Sequence, residues 1–396
     1  MIHIFVFTAG LLSFLFCLYQ LIAALMVSRC LPYLKSLPEP DFEEDRKKAP
    51  MISVIISAKD EEREIEQALK SRLASDYPNL EIIVVNDRSS DDTGRILDRL
   101  QASDKRIRVL HLRERPRDWL GKLNALNEGM KIASGEWLLF SDGDVHIKKG
   151  TLARTVGRCE RESIDFVAVI PDFRRSRFLI DLCVSIFFRG LLTIGRAYQA
   201  ENPMSSVSVG SGSFNFVRRK AFEQAGGFAA FRMEVIDDVT MGQQMKAAGF
   251  RTSLMLGKGM VAVRWYDRFS ALFHGMGRAL MTGMGNFNLP QLLFLSSSAF
   301  ILDMLPFILS VQNVSIVLKW VGISSAVLII LATIQSDRLL NRPPWFSLFL
   351  PLGYLLVYII ALYGGIKIWL ERGLVWRDTY YPIKDLKKGR RFKYFP

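Results

Sequence analysis

The sequence is short of the residues from which disulfide frameworks and zinc sites are built. Its 396 residues hold 4 cysteines and 4 histidines. Cys17, Cys30, Cys159 and Cys183 show no paired spacing and no histidine cluster beside them. That excludes a Cys/His metal module and a secreted cystine scaffold, and makes a reducing compartment the expectation. Charge is also missing near the start, where no Lys, Arg, Asp or Glu precedes Arg29. The apolar run Ile2 to Val27 is therefore about long enough to cross a hydrocarbon core as a helix. Without a basic start, and at that length, it argues against a cleaved leader and for an anchor. Acidic residues are outnumbered, 39 against 52 Lys+Arg, for a net charge of +13 and a pI near 9.6. Such a balance calls for an anionic partner. With 50% hydrophobic residues and apolar runs near both ends, an anionic lipid surface or a nucleotide diphosphate fits, and nucleic acid is not expected.

What is present falls into segments. After the anchor (residues 1–28), Arg29, Lys35, Arg46, Lys47 and Lys48 place the following domain in the cytoplasm and Met1 outside, on the positive-inside rule. This predicts a multi-pass protein of the inner (cytoplasmic) membrane. Residues 29–50, with Pro32, Pro38, Pro40 and the acidic patch Asp41 to Asp45, read as a linker. From Met51 the pattern alternates: strands at Ile52–Ser57, Leu80–Val85 and Ile107–Leu112, helices at Glu61–Ala74 and Thr93–Gln101. Strands alternating with helices mean βαβ units, an α/β fold with a Rossmann-like, mostly parallel sheet. Ligands in such sheets bind beyond the carboxyl ends of the strands. Those ends are Ala58 to Glu62, Asn86 to Asp92 and Asp142 to Asp144, and Asp60, Glu61 and Asp87 could accept from a base and ribose.

The apolar strand in Glu136–Val145 runs into Asp142-Gly143-Asp144. Alternation in an extended chain lets both carboxylates face one way, and Gly143 lets a ligand come close to the backbone. A claw of two carboxylates suits a hard divalent cation, Mg2+ or Mn2+, that keeps positions open for diphosphate oxygens. In isolation the tripeptide is equally an ordinary turn. Lys122 stands near the start of a predicted helix within Trp119–Gly129, where it can serve as a point charge on a phosphate; alone it would be a surface residue. Asp237 and Asp238 precede a predicted helix Val239–Ala248 and could simply cap it.

Seven stretches occur in order: Ser53–Glu62, Ile83–Thr93, Gly121–Gly129, Leu139–Asp144, Gly210–Asn215, Gly226–Phe228 and Ile236–Val239. Together they resemble the glycosyltransferase family 2 catalytic domain of GT-A fold, over roughly Met51 to Val263. The resemblance implies a nucleotide-sugar donor bound by Ala58, Asp60, Glu61, Asp87, Lys122 and Asp142. It implies a metal and diphosphate motif at Asp142 and Asp144. It also implies that Gly210, Ser211, Gly212 and Ser213 form a flexible acceptor-side loop. Asp238 matches the catalytic base, beside Asp237, which departs from the Glu usual there. The chemistry implied is single displacement with inversion at the sugar carbon. Val261-Ala-Val-Arg264-Trp265 keeps Arg-Trp but lacks the Gln of the Gln-x-x-Arg-Trp motif of many processive polysaccharide synthases. The architecture therefore resembles carotenoid, hopanoid or ceramide-type lipid glycosyltransferases, with a membrane lipid as acceptor. A polysaccharide synthase and a non-catalytic scaffold that kept the fold are the alternatives.

The transferase domain is expected over residues 51–265, an interfacial amphipathic segment over 266–288, membrane or re-entrant helices over 289–370 and a basic tail over 371–396. Phe173–Ile194, apolar with interspersed arginines, reads either as an interfacial helix or as a buried domain helix. His274, in the apolar stretch Phe269–Met284, has no second His or Cys spaced to make a metal site. Three further apolar runs (Leu289–Leu309, Val314–Ile334, Trp345–Leu370) are long enough to span, which would strand the basic tail outside. One run is therefore expected to be re-entrant, either the first, with Asp303 and Pro306, or the last, with Pro351, Gly364 and Gly365. Gly373–Tyr381 resembles a motif found after the last span in membrane-bound family members, and is expected on the catalytic side.

Overall fold

Hydrophobic patterning accounts for most of the elements. The computed structural model describes residues 2–40, 42, 49–312 and 314–392. In the expected linker, Asp41, Glu43, Glu44, Asp45, Arg46, Lys47 and Lys48 lie outside the described residues, as does Lys393 of the tail. The first half of the chain runs α1 (Ile2–Cys30), β1 (Ile52–Ala58), α2 (Ile65–Leu73), β2 (Leu80–Asp87), α3 (Thr93–Ser103), β3 (Ile107–Leu112), α4 (Gly121–Ile132) and β4 (Trp137–Asp142). It continues through β5 (His146–Ile147), α5 (Thr151–Glu162), β6 (Phe166–Ile170), β7 (Asp172–Phe173), α6 (Phe178–Thr193), β8 (Asn215–Arg218), α7 (Arg219–Gln224), α8 (Asp237–Ala247), β9 (Thr252–Leu256) and β10 (Val261–Val263). The last third is α9 (Phe269–Gly283), α10 (Leu289–Val311), α11 (Ile316–Leu339), α12 (Leu350–Leu370), β11 (Gly373–Trp376), β12 (Thr379–Pro382) and α13 (Ile383–Lys388).

Among the described residues the main sheet has the order β3-β2-β1-β4-β8-β6-β9. β1 pairs in parallel with both β2 and β4, β2 with β3, and β6 with β9; only β8 runs antiparallel to its neighbours. The all-buried runs Ile-Ile-Val-Val of β2 and Ser-Val-Ile-Ile of β1 are what a sheet covered on both faces requires. Register sets Ala58 beside Asn86 and Ser57 beside Asp142, so the carboxyl ends of β1, β2 and β4 finish level with one another. α4 seats against these strands through Gly129, where a Cβ would lie 2.6 Å from Ile55 Cγ2 and 3.0 Å from Val85 Cγ2. The helix expected from Glu61 begins only at Ile65. Asp60 turns the chain through a left-handed φ of 55°, and its carboxylate accepts from Ser90 N at 2.7 Å, so these side chains stitch two loops together.

Among the described residues four helices are long and apolar enough to cross a membrane: Ile4–Cys30, Leu289–Val311, Ile316–Leu339 and Pro344–Leu370. α6 joins them to the sheet domain and is a buried helix, which settles the two readings of Phe173–Ile194. Ile180, Cys183, Val184, Phe188 and Leu192 belong to the main core, while Leu182 and Ile186 belong to a second one with Cys17, Ile329, Ala332 and Tyr354. Its buried charges are matched across helices. Arg342 meets Asp181 at 2.7 Å, and Arg189 meets Asp303 at 3.1 Å while also donating to Gln20. α12 packs against α6 and α9. Near its start Trp345 stacks on Phe178 and Gly353 abuts Leu182 and Ile186; near its end Gly364 abuts Gly277 of α9. The hairpin β11–β12 then returns to the strand ends, as expected of Gly373–Tyr381.

Arg189→Met should leave Asp303 buried without its cation and cost about 3–5 kcal/mol, the usual penalty for breaking a buried pair from one side. Thermal unfolding of the detergent-solubilised protein measures it. Replacing both partners, Arg189→Met with Asp303→Leu, should recover most of the loss.

Candidate active site

β4 carries Asp142 to its last position, and the strand stops there because its neighbours do: β8 pairs with it only as far as Phe140, and β1 only as far as Asp142. Gly143 and Asp144 therefore form a turn, and the two aspartates are brought near each other by that turn rather than by alternation along an extended strand. Glu61 closes the third side, since a Cβ on Gly143 would lie 3.6 Å from Glu61 Cγ. Burial pushes Asp144 up to about 7, and the charges of Asp142 and Glu61 push the same way. Burial also raises Glu61, partly offset by Arg377.

Lys122 sits in the first turn of α4, where its own charge opposes the helix dipole. Two carboxylates more than compensate: Nζ lies 2.9 Å from Asp142 Oδ1 and 3.1 Å from Asp237 Oδ2. Burial pulls Lys122 down, but Asp142, Asp237 and Asp238 outweigh it and hold the ammonium firmly protonated. The lysine thus links the claw to the pair at the start of α8. That helix begins at Asp237, with Ile236 as its cap residue, so neither aspartate is the N-cap. Both lie in the first turn, where negative charge is favourable. Asp237 is buried. Asp238 is half-buried, its Oδ1 accepting from Val239 N and its Oδ2 from Gly212 N, each at 2.9 Å. Burial raises both carboxyls, against the opposing pull of Lys122.

The Gly210–Ser213 segment, expected as a flexible loop, is pinned instead. Asp142 N donates to Gly212 O at 2.9 Å, Ser141 Oγ donates to Ser213 O at 2.8 Å, and Ser211 N donates to Asn215 Oδ1. Its glycines have a physical reason. A Cβ on Gly212 would lie 2.7 Å from Asp142 Oδ2, and one on Gly210 would lie 1.7 Å from the carbonyl oxygen of Asp238. The backbone is squeezed between the claw and the proposed base.

The remaining expected residues line the neighbouring strand ends. Asp87 is buried, paired through both oxygens with Arg88 at 2.8 and 3.0 Å, and a Cβ on Gly121 would lie 2.6 Å from its Oδ2. Asp60 is exposed and tied to Ser89 and Ser90. Ala58 is fully buried, so only its backbone can face a ligand. Arg72 escaped the sequence reading. It is fully buried beneath the claw, donating to Ser141 Oγ at 3.0 Å and to the carbonyl oxygen of Asp142 at 2.7 Å, with its Nε and second terminal nitrogen unpartnered. Burial lowers it to about 10, against the pull of Asp144 and Asp142. The available signal was its place in the apolar stripe of α2: Ile65, Ala68, Leu69 and Arg72 are the inward residues.

The raised Asp144 has a definite sign in stability. Its folded pKa of about 7 lies above the unfolded 3.8, so its stabilising contribution is complete below pH 3.8 and lost as pH rises towards 7. Asp144→Asn should therefore melt higher than the wild type at pH 8, with the gap closing as pH falls from about 7 towards 3.8; melting curves at the two ends of that window check it. Gly212→Ala should displace the Asp142 carboxylate and weaken Mn2+ binding at least about tenfold, as loss of a well-placed charged ligand does, measured by calorimetry.

Residues 53–226 match the family glycosyl transferase family 2. The beta-monoglucosyldiacylglycerol synthase of Trichormus variabilis is 26% identical over 188 residues, which is 45% of this chain and 38% of that protein. The poly-beta-1,6-N-acetyl-D-glucosamine synthase of Staphylococcus epidermidis is 27% identical over 177 residues, 44% of this chain and 41% of that one. The chain thus spans about two fifths of the length of these curated relatives. The mannosyltransferase PcManGT from Pyrobaculum calidifontis, solved with GDP-Man and Mn2+, superposes with a TM-score of 0.54 over 93% of this chain and 97% of its own, at 17% identity. The shared architecture is the GT-A fold. By its matched residues and its fold, the sheet domain is similar to the glycosyl transferase family 2 domain over residues 53–226.

Proposed function

We propose that the protein is an integral-membrane, inverting glycosyltransferase that moves a sugar from a nucleotide-sugar to a membrane lipid, working at the cytoplasmic bilayer surface. The observation that carries this reading is the joining of claw and base through Lys122 and Gly212, which sets a donor site and a proton acceptor side by side. Asp238 is the base. Its raised affinity for a proton suits it to take the acceptor hydroxyl's proton, and the Gly212 N–H holds its Oδ2 in place. Lys122 offsets charge on the donor's phosphates, and Asp60 and Asp87 face the nucleoside, with Glu61 turned to the claw.

The claw fits a divalent cation, Mg2+ or Mn2+, by the chemistry of its donors: Asp142, Asp144 and Glu61 are hard oxygen ligands that crowd one another. Asp142 and Asp144 would hold such an ion with positions left for phosphate oxygens. Such an ion, when bound, neutralises charge on the departing diphosphate. The relative solved with GDP-Man and Mn2+ supports both the donor class and the cation.

A lipid acceptor is supported by the relative named for a glucosyldiacylglycerol product and by the apolar helices beside the site. α1, α10 and α11 cross, with α1 entering from outside. α12 is read as the re-entrant run, which returns the basic tail to the cytoplasmic side; Leu348, Leu352, Leu355, Ile359, Tyr363, Ile366 and Trp369 form one exposed stripe along it. Residues 51–265 are the transferase domain, 266–288 its membrane-facing edge and 371–396 a tail on the cytoplasmic side. The polysaccharide-synthase reading is favoured by the similarity to the poly-N-acetylglucosamine synthase. Against it, Trp265 is enclosed by Phe173, Phe187 and Phe188, and Arg264 faces Asp267.

Membranes carrying the protein, given labelled UDP-hexoses and GDP-mannose, should yield label soluble in organic solvent; an insoluble polymer would overturn the lipid acceptor. Asp238→Asn should lower transfer by about 10²–10⁴-fold, the usual worth of a general base, while donor affinity stays within about twofold of wild type. Residual transfer near the wild-type rate would remove Asp238 from that role.

A further inference from the structure

The hairpin β11–β12 begins three residues after α12 ends and comes back to the rim of the donor site. Its tip and the β1–α2 loop hold each other reciprocally: Lys59 Nζ donates to the Arg377 carbonyl at 2.6 Å, and Arg377 donates to the Lys59 carbonyl at 2.7 Å. A second guanidinium nitrogen of Arg377 donates to Glu61 Oε1 at 2.6 Å, the same carboxylate that borders Gly143 in the claw. Gly121 N, at the head of α4, donates to Tyr381 Oη at 3.2 Å. The two-residue turn is Arg377-Asp378, with φ of 45° and 62°. A hairpin turn of this kind prefers Asn-Gly, and the left-handed backbone is unfavourable for Arg377. The strained tip keeps Arg377 aimed at Glu61.

Arg278 of α9 approaches from the other side. Its guanidinium lies over the Trp376 ring, 4.6 Å from the centroid. It is half-buried, and among the described residues it forms no hydrogen bond and no ion pair. Burial disfavours its charge, the repulsion of Arg377 adds to that, and Asp237 and Tyr266 oppose it. A desolvated guanidinium with no acceptor, close enough to a second one to be repelled by it, is poorly satisfied by the protein alone. An anion shared by the two would supply acceptors and remove the repulsion.

We propose that Arg278 and Arg377, joined through Trp376, form a two-arginine clamp for the diphosphate of the nucleotide donor, facing the Asp142/Asp144 claw, so that the C-terminal hairpin is part of the active site. The proposal rests on the nucleotide-sugar reading above. Planar, multidentate guanidinium groups suit phosphate oxygens.

The test uses the full-length protein in phosphatidylcholine nanodiscs with Mn2+, titrated with uridine, UMP and UDP and with guanosine, GMP and GDP. For whichever series binds, Arg377→Gln and Arg278→Gln should each weaken the diphosphate by about 10- to 100-fold, the loss of a charge-assisted hydrogen bond. The nucleoside should stay within about twofold, with the monophosphate between. Arg377 lies at an exposed tip, so its variant decides the matter even where Arg278→Gln fails to fold. Equal diphosphate affinity in variant and wild type overturns the clamp, as does an equal loss for nucleoside and diphosphate, which marks a merely structural hairpin. A change confined to nanodiscs containing phosphatidylglycerol assigns the arginines to lipid phosphate instead. If the wild type binds neither diphosphate, the nucleotide-sugar reading itself falls and the clamp with it, an outcome distinct from failure of the variants alone.

Discussion

Lys122 makes it possible for four carboxylates to stand together at the end of a buried sheet. Asp142, Asp144, Asp237 and Asp238 repel one another, and burial raises the cost of charging Asp144, Asp237 and Asp238. One ammonium between Asp142 and Asp237 turns that repulsion into a link between two regions of the chain nearly a hundred residues apart. Gly212 provides a second link on the opposite side, touching Asp142 through its carbonyl and Asp238 through its N–H. The claw and the Asp237–Asp238 pair are consequently coupled. A shift of the claw is felt at the base through a lysine and a glycine that have little room to adjust.

The same site is tied to the membrane helices by routes that carry charge as well as apolar area. α6 packs one face into the sheet domain and the other into the helical bundle, and its buried Asp181 and Arg189 are paired with residues before α12 and within α10. α9 presents Gly277 to Gly364 of α12, two glycines that let the helices touch along their backbones. The chain then returns over the donor site through the C-terminal hairpin. On the proposed reading, a lipid in the surrounding layer meets a site whose walls are partly built from the helices that hold it there.

Much of this was legible beforehand because it is written in local periodicity. β3 was delimited to the residue, β1 and β2 to within two, and the carboxylates of Asp142, Asp144 and Asp238 lie together as their places at strand and helix ends implied. Glu61 is the instructive intermediate case: it was expected at the nucleoside side, and the fold turns it towards the claw and towards Arg377. Arg72 was overlooked because an arginine on an apolar stripe reads as a surface residue until the strand above it supplies acceptors. Ala58, expected among the donor contacts, is fully buried at the end of β1, which leaves only its backbone to meet a ligand.

By itself the sequence determined the α/β alternation, the apolar helices and the acidic strand ends, since burial patterns and turn chemistry act over a few residues. The tertiary structure alone decided that Gly210 and Gly212 are squeezed between two aspartates, that α12 packs on α6 and α9, and that Arg377 sits on Glu61. Those contacts join segments tens to hundreds of residues apart, and no local preference encodes which distant backbone will arrive within hydrogen-bonding distance.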